Sequence, residues 1–138
     1  MKKIMATISA IALSVSLLAP AAFASGDSGC ERAEGVQHST TLLGGDFLKM
    51  KTSFDFCWEN GEISSIDNVN TTFDDVAVTA SIGDEKTHLI DGIGTPEGHV
   101  RIMYEVTNAA AGVDIMTINP YNDFKVYPGG DYSHTSGE

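Results

Sequence analysis

Side-chain oxygens are densest in the run Asp67-Asn68-Val69-Asn70-Thr71-Thr72-Phe73-Asp74-Asp75, and hard cations take oxygen ligands. Asp67, Asn70, Asp74 and Asp75 are therefore the candidate ligands of a weak calcium site, calcium being the one cofactor the sequence suggests. The run is not an EF-hand loop, because the central glycine and the distal glutamate are missing. Asp and Asn also bond their own backbone and so collect in turns, and the run reads as a loop between two strands.

Cys30 and Cys57 are the chain's 2 cysteines, and in an oxidising compartment two thiols pair most simply with each other. Zinc would ask for close-spaced Cys or His partners, which neither has. His38, His88, His99 and His134 are scattered singly along the chain. Gly26-Asp27-Ser28-Gly29 matches the tetrapeptide around the nucleophile of trypsin-like proteases, but no His or Asp precedes it in the order that chemistry uses, and the remaining length cannot build two barrels. No nucleophile elbow, phosphate loop, dinucleotide fingerprint or His-Glu-x-x-His occurs, and no pair of carboxylates announces itself as catalytic. Tyr121, Tyr127 and Tyr132, held among Pro120, Pro128 and Gly129-Gly130, are the candidate binding residues.

Strands must position these groups. From Leu48 to Trp58 the chain alternates with period two, so Leu48, Met50, Phe54, Phe56 and Trp58 share an inward face. Asn60-Gly61 follows, the dipeptide that accepts positive φ at both centres of a type I′ hairpin turn, and residues 62–69 return as a strand. Residues 76–82 alternate again, with Val76, Val78, Ala80 and Ile82 inward, before a turn at Gly83-Asp84-Glu85 and a short strand over 86–90. Residues 91–98 hold too much glycine and proline for regular structure. This loop is long for a hairpin and reads as a passage between sheets. Strands are expected over 36–43, 100–106, 113–118 and 124–127, with Asn108 to Gly112 a connection. Seven or eight strands without an amphipathic helix give an all-β fold, an antiparallel β-sandwich of immunoglobulin-like or related type carrying one disulfide; a small β-barrel is the alternative.

The beginning of the chain carries its own signal. Two lysines precede an apolar stretch over residues 4–18, and Ala22-Phe23-Ala24 has the small-x-small spacing that a signal peptidase reads. Residues 1–24 are thus expected to be a removed secretory signal peptide, 25–35 an N-terminal segment, and 36–138 a single sandwich domain ending in a short polar tail. Losing Lys2 and Lys3 takes the basic residues from 8 to 6 against 19 acidic ones, a net charge of −13. Such a surface repels phosphate backbones and anionic membranes, which argues against nucleic acid or membrane insertion after signal removal, and leaves extracellular proteins and glycans as partners.

Phe54-Asp55-Phe56-Cys57-Trp58 before a glycine-containing hairpin, with Gly130-Asp131-Tyr132-Ser133 later, resembles a loose set of small secreted bacterial β-proteins without an assigned function. The resemblance implies export and a β fold, and assigns no residue a role. The expectation is a secreted, or alternatively periplasmic, acidic domain that works by binding. A small hydrolase with an unrecognised carboxylate pair and a secreted toxin or bacteriocin are the competing classes.

Overall fold

The computed structural model describes residues 27–40, 46–110 and 113–138; the expected signal peptide and its cleavage site lie outside them. Eight strands run in chain order: β1 Ser28–Thr40, β2 Asp46–Glu59, β3 Glu62–Asp74, β4 Ala80–Asp91, β5 Gly98–Ala110, β6 Val113–Ile118, β7 Tyr121–Val126 and β8 Tyr132–Gly137. One antiparallel sheet has the order β1-β2-β3. The other has the order β4-β5-β7-β8, with β6 also paired to β5. The two face each other as a sandwich, not a closed barrel.

β2 shows why the period predicts the packing. Met50, Phe54 and Phe56 are fully buried between the sheets, each fully buried large apolar side chain being worth about 1.5 to 3 kcal/mol. Phe54 and Phe56 meet Val100, Ile102, Phe124 and Val126 of the other sheet in the larger core cluster. Trp58, expected inside, is only partly buried at the strand's end. Phe47 and Leu48 are both buried, because the β1–β2 register slips at that point. Asn60 and Gly61 have φ of 54° and 80°, the left-handed pair that a type I′ turn needs to carry β2 into β3.

The disulfide is formed as expected, between directly opposed residues of β1 and β2 whose Cα atoms lie 4.0 Å apart. Close Cα approach of this kind belongs to the non-hydrogen-bonded pairs of an antiparallel ladder. A disulfide is at home in an oxidising compartment. No helix among the described residues is long and apolar enough to cross a membrane.

Six sequence expectations are corrected. β1 starts at Ser28, not residue 36; its inward positions Ala33, Gly35, Gln37 and Ser39 are small or polar, so alternation is invisible in hydropathy although all four are buried. β3 continues to Asp74 instead of giving way to a loop. A bulge places Asn68 and Val69 opposite Phe54 alone, with Asn68 at φ 57°, and that extra residue shifts the phase so that Ile66, Val69, Thr71 and Phe73 face inward. β4 begins at Ala80. Val76 and Val78 are exposed in the connection, where Ala77 donates to the Phe47 carbonyl and joins the second core cluster in their place. The expected turn at Gly83-Asp84-Glu85 is a pair of register slips within β4. Residues 132–137, expected as a polar tail, pair with β7 as β8. The loop over 92–97 joins neighbours in one sheet, so the passage between sheets falls at residues 75–79.

Candidate functional site

A three-stranded sheet cannot cover a wider one. β1 packs against β8 and β7, and β2 against β7. β3 lies over β5, where Gly98 leaves room for Ile66 and Ile63. β4 is covered only at its beginning, where Ala80 and Ile82 pack with Phe47, Leu48 and Phe73; from His88 to Ile90 its inner face is exposed. The register states the consequence residue by residue. Ile90 pairs with Val100 and His88 with Ile102, so each pair shares a face of the sheet. Val100 and Ile102 are fully buried, whereas Ile90 is 37% exposed and His88 is exposed beside Glu85, its Nδ1 3.1 Å from the Glu85 carboxylate.

Beside this uncovered face runs the free edge of β3. At its beginning Ile63 donates its N–H to the Thr95 carbonyl at 2.8 Å and accepts from Gly94 N at 2.7 Å. The 92–97 loop therefore caps only the first turn of the edge. Ile93, 52% exposed, stands there with Ile63, Glu59 and Glu62 around an open hollow of about 240 Å³. From Ser64 to Asp74 no strand of the described residues pairs with β3 on this side. Ile63 points its backbone groups away from β2, and alternate residues of an antiparallel strand do the same. Following the register through the bulges, the next free pairs belong to Ile66, Thr71 and Phe73. Phe73 stacks edge-on against Tyr104 at 5.0 Å. Burial raises the Tyr104 pKa, and the charge of Glu85 and a hydrogen bond to it push in the same direction.

Of the six large hydrophobic residues exposed among the described residues, Ile90 and Ile93 lie on this flank; Leu89, paired with Arg101, faces the other side of the sheet, Val76 and Val78 lie in the connection beyond the far end of β3, and Tyr132 lies on β8. The flank's charge is one-sided. Arg32, Lys49, Lys51, Lys86, Arg101 and Lys125 each sit within 4 Å of a carboxylate of the same chain, while Glu59 and Glu62 line the hollow and Asp67 is exposed on β3.

The candidate residues of the sequence are elsewhere or dispersed. Asp67, Asn70 and Asp74 are strung along β3, opposite Asp55, Ser53 and Lys49. At about 3.3 Å per residue the strand separates the outer two far beyond the span of one ion. Asp75 follows them and pairs with Lys49 Nζ at 3.1 Å. Among the described residues no group of three or more His, Cys, Asp or Glu is placed to hold a metal ion. The three tyrosines do not form a patch. Arg101 lies over the Tyr121 ring at 4.2 Å, and Tyr127 donates to Glu97 at 3.0 Å. Tyr132 sits at the opposite end of the β7–β8 ladder from Tyr121, against Phe56 and Phe124.

Two polar constellations carry no such opening. Asp123 is held between His99 Nε2 at 3.0 Å and an Arg101 guanidinium nitrogen at 2.7 Å. An Asp–His couple performs acyl chemistry only with a nucleophile against the imidazole, and the strands beside His99 offer Asp91 and Lys125. Inside the sandwich, buried Asn122 donates to the Met50 carbonyl and to Thr52 Oγ1 and accepts from His134 Nε2 at 2.7 Å. These satisfied bonds fasten the sheets together.

The flank was missed in the sequence because it is a property of sheet width, which no local pattern encodes. One signal was available: Ile93 between two glycines is a large apolar side chain in a loop that cannot bury it. Compared with protein-family models, curated proteins and solved structures, the chain gives no match.

Proposed function

We propose that this is a secreted binding module that engages an extracellular protein through the open β3–β4 flank. One observation carries the reading: Ile90, which shares a face with the buried core residue Val100, stands uncovered beside a free strand edge that has Ile93 exposed at its start. Exposed apolar surface gathered in one region is the ordinary mark of an interaction site. The surplus of carboxylates sets like charge against like when two copies approach, which disfavours self-association.

The test uses the purified protein as bait in the culture medium of its source, beside Ile93→Lys. Ile93 stands out from the fold, so the substitution leaves folding intact. A partner recovered at stoichiometric amounts by the native protein and lost with the variant supports the reading. Turnover of a glycan or peptide panel by catalytic amounts of protein, unchanged in Ile93→Lys, overturns it.

A further inference from the structure

We infer that the open flank accepts one extended strand of a cationic partner, added to the free edge of β3 so that the partner's alternate apolar side chains cover the inner face of β4. This rests on the binding reading above and names the partner's chemistry.

The shape of the vacancy specifies a strand. The missing element is the one that would lie beside β3 and above β4, and adjacent strands are about 4.8 Å apart. Among the described residues, the N–H and C=O groups that Ile66, Thr71 and Phe73 point along that line have no backbone partner, as an added strand requires. Edges are normally blunted by lysine, proline, bulges or cover. β4 follows that rule, with Lys86 and two register slips. β3 carries neither lysine nor proline, and although it too has two slips, at Ser64 and at Asn68, its register with β2 is regular from Asn70 to Asp74. The stretch best shaped for pairing is thus the one left open.

Charge selects the partner. A second copy would bring β3 against β3, setting Glu62, Asp67 and Asp74 against the same residues with no cation on either strand. Like charges opposed across a sheet are unfavourable. Every described basic side chain is already held by a carboxylate of its own chain, so the attraction is available to a strand that brings cations. Residues alternate in direction along a strand. A strand with apolar residues inward, onto Ile90 and Phe73, therefore presents its other set outward beside Asp67 and Asp74. The partner is an alternating apolar and basic segment.

The probe is an acetylated, amidated octapeptide of alternating valine and lysine, titrated into the purified protein, with amide hydrogen exchange followed on β3. Saturable binding is expected, with slower exchange at Ile66, Thr71 and Phe73. Ile90→Lys should weaken it at least ten-fold while leaving the melting temperature in place, and replacing the peptide's lysines by glutamate should weaken it as much. N-methylation of the valines or of the lysines tests the ladder, because only one alternate set faces the protein. Loss with one set and retention with the other is the outcome required. Equal binding by both sets, or by the glutamate peptide, overturns strand addition, as does protection of β3 that rises with protein concentration alone. If the peptide does not bind yet Ile93→Lys still loses the partner recovered from medium, strand addition fails and the binding reading stands.

Discussion

The two flanks of the sandwich are built to opposite ends. On the β1–β8 flank the sheets are drawn together. Gly35 lies against the His134 ring, so closely that a Cβ there would come within 2.3 Å of it. Trp58 covers Gly29 and reaches Gly130. The Glu34 N–H donates to the Tyr132 hydroxyl at 3.4 Å, and Gln37 reaches Glu138 at 3.5 Å. On the β3–β4 flank the ties lie toward the two ends, Ile63 bonded to Thr95 and Gly94 at one and Phe73 packed on Tyr104 and Ile82 at the other. Ile90 stays exposed although its cross-strand partner is buried. Small residues let backbones approach, and their placement on β1 but not on β3 decides which side of the sandwich shuts. The closed flank holds the fold, and the open one is available to something else.

The sharpest break in that comparison comes from the core that both flanks share. Phe56 is fully buried between Trp58 and Tyr132 rings, and Phe56→Ala should lower stability by about 3 to 5 kcal/mol in urea unfolding. A near-neutral result would mean that β2 does not present this face to the other sheet.

Next is the disulfide, which staples the closed flank's outer strand to β2. Replacing Cys30 and Cys57 by serine should cost about 2 to 5 kcal/mol, read as a lower unfolding midpoint that, unlike that of the native protein, does not change when reductant is added. Gly35→Ala should cost about 1 to 3 kcal/mol, because the added methyl must push His134 aside. His134 donates to buried Asn122, so the ring cannot leave without breaking that bond. An alanine tolerated without loss would show that the flank is less tightly shut than its geometry implies.

His134 also gives the closed flank a pH dependence. Burial lowers its pKa, against the smaller raising influence of Asp123. A histidine harder to protonate folded than unfolded contributes stability that is complete above its unfolded pKa of about 6.5 and is lost as pH falls below that value through the folded one. The melting temperature should therefore fall between pH 7.5 and 5.5, and fall less in His134→Gln, whose side-chain amide can still donate to Asn122. Equal slopes in the two proteins would remove His134 from the account.

What the sequence made legible follows the same division. β2, its hairpin and its disulfide partner were readable because large apolar residues, Asn60-Gly61 and two cysteines each act locally. β1 and β8 were obscured because their inward positions are glycine, alanine, serine and histidine, chosen for close approach instead of for hydrophobicity. The oxygen-rich run reads as a loop because the Asn68 bulge breaks the alternation of β3, leaving Asp67, Asn70 and Asp74 on its outer side. The free edge beside them depends on how many strands each sheet has, a count settled only when the whole chain pairs.

The smallest expected effect is the one that tests the comparison most directly. Ile90 and Ile102 are both isoleucines on the inner face of one sheet, on adjacent strands, and differ in whether the opposite sheet covers them. Ile102→Ala should cost about 2 to 5 kcal/mol, since it opens a cavity in a packed core. Ile90→Ala opens none, because solvent already reaches the side chain, and should cost about 1 kcal/mol or less. Urea unfolding of the two variants side by side measures the difference. Comparable losses would mean that β4 is packed as firmly as β5 and that the flank is closed in solution. A large gap would place the energy of the fold on β5 and leave Ile90 as surface that contributes only when another chain lies over it. In that case a bound valine–lysine strand should raise the stability of the native protein more than that of Ile90→Ala, because ligand binding stabilises by mass action in proportion to affinity, and the missing methyl groups are the ones the strand would cover.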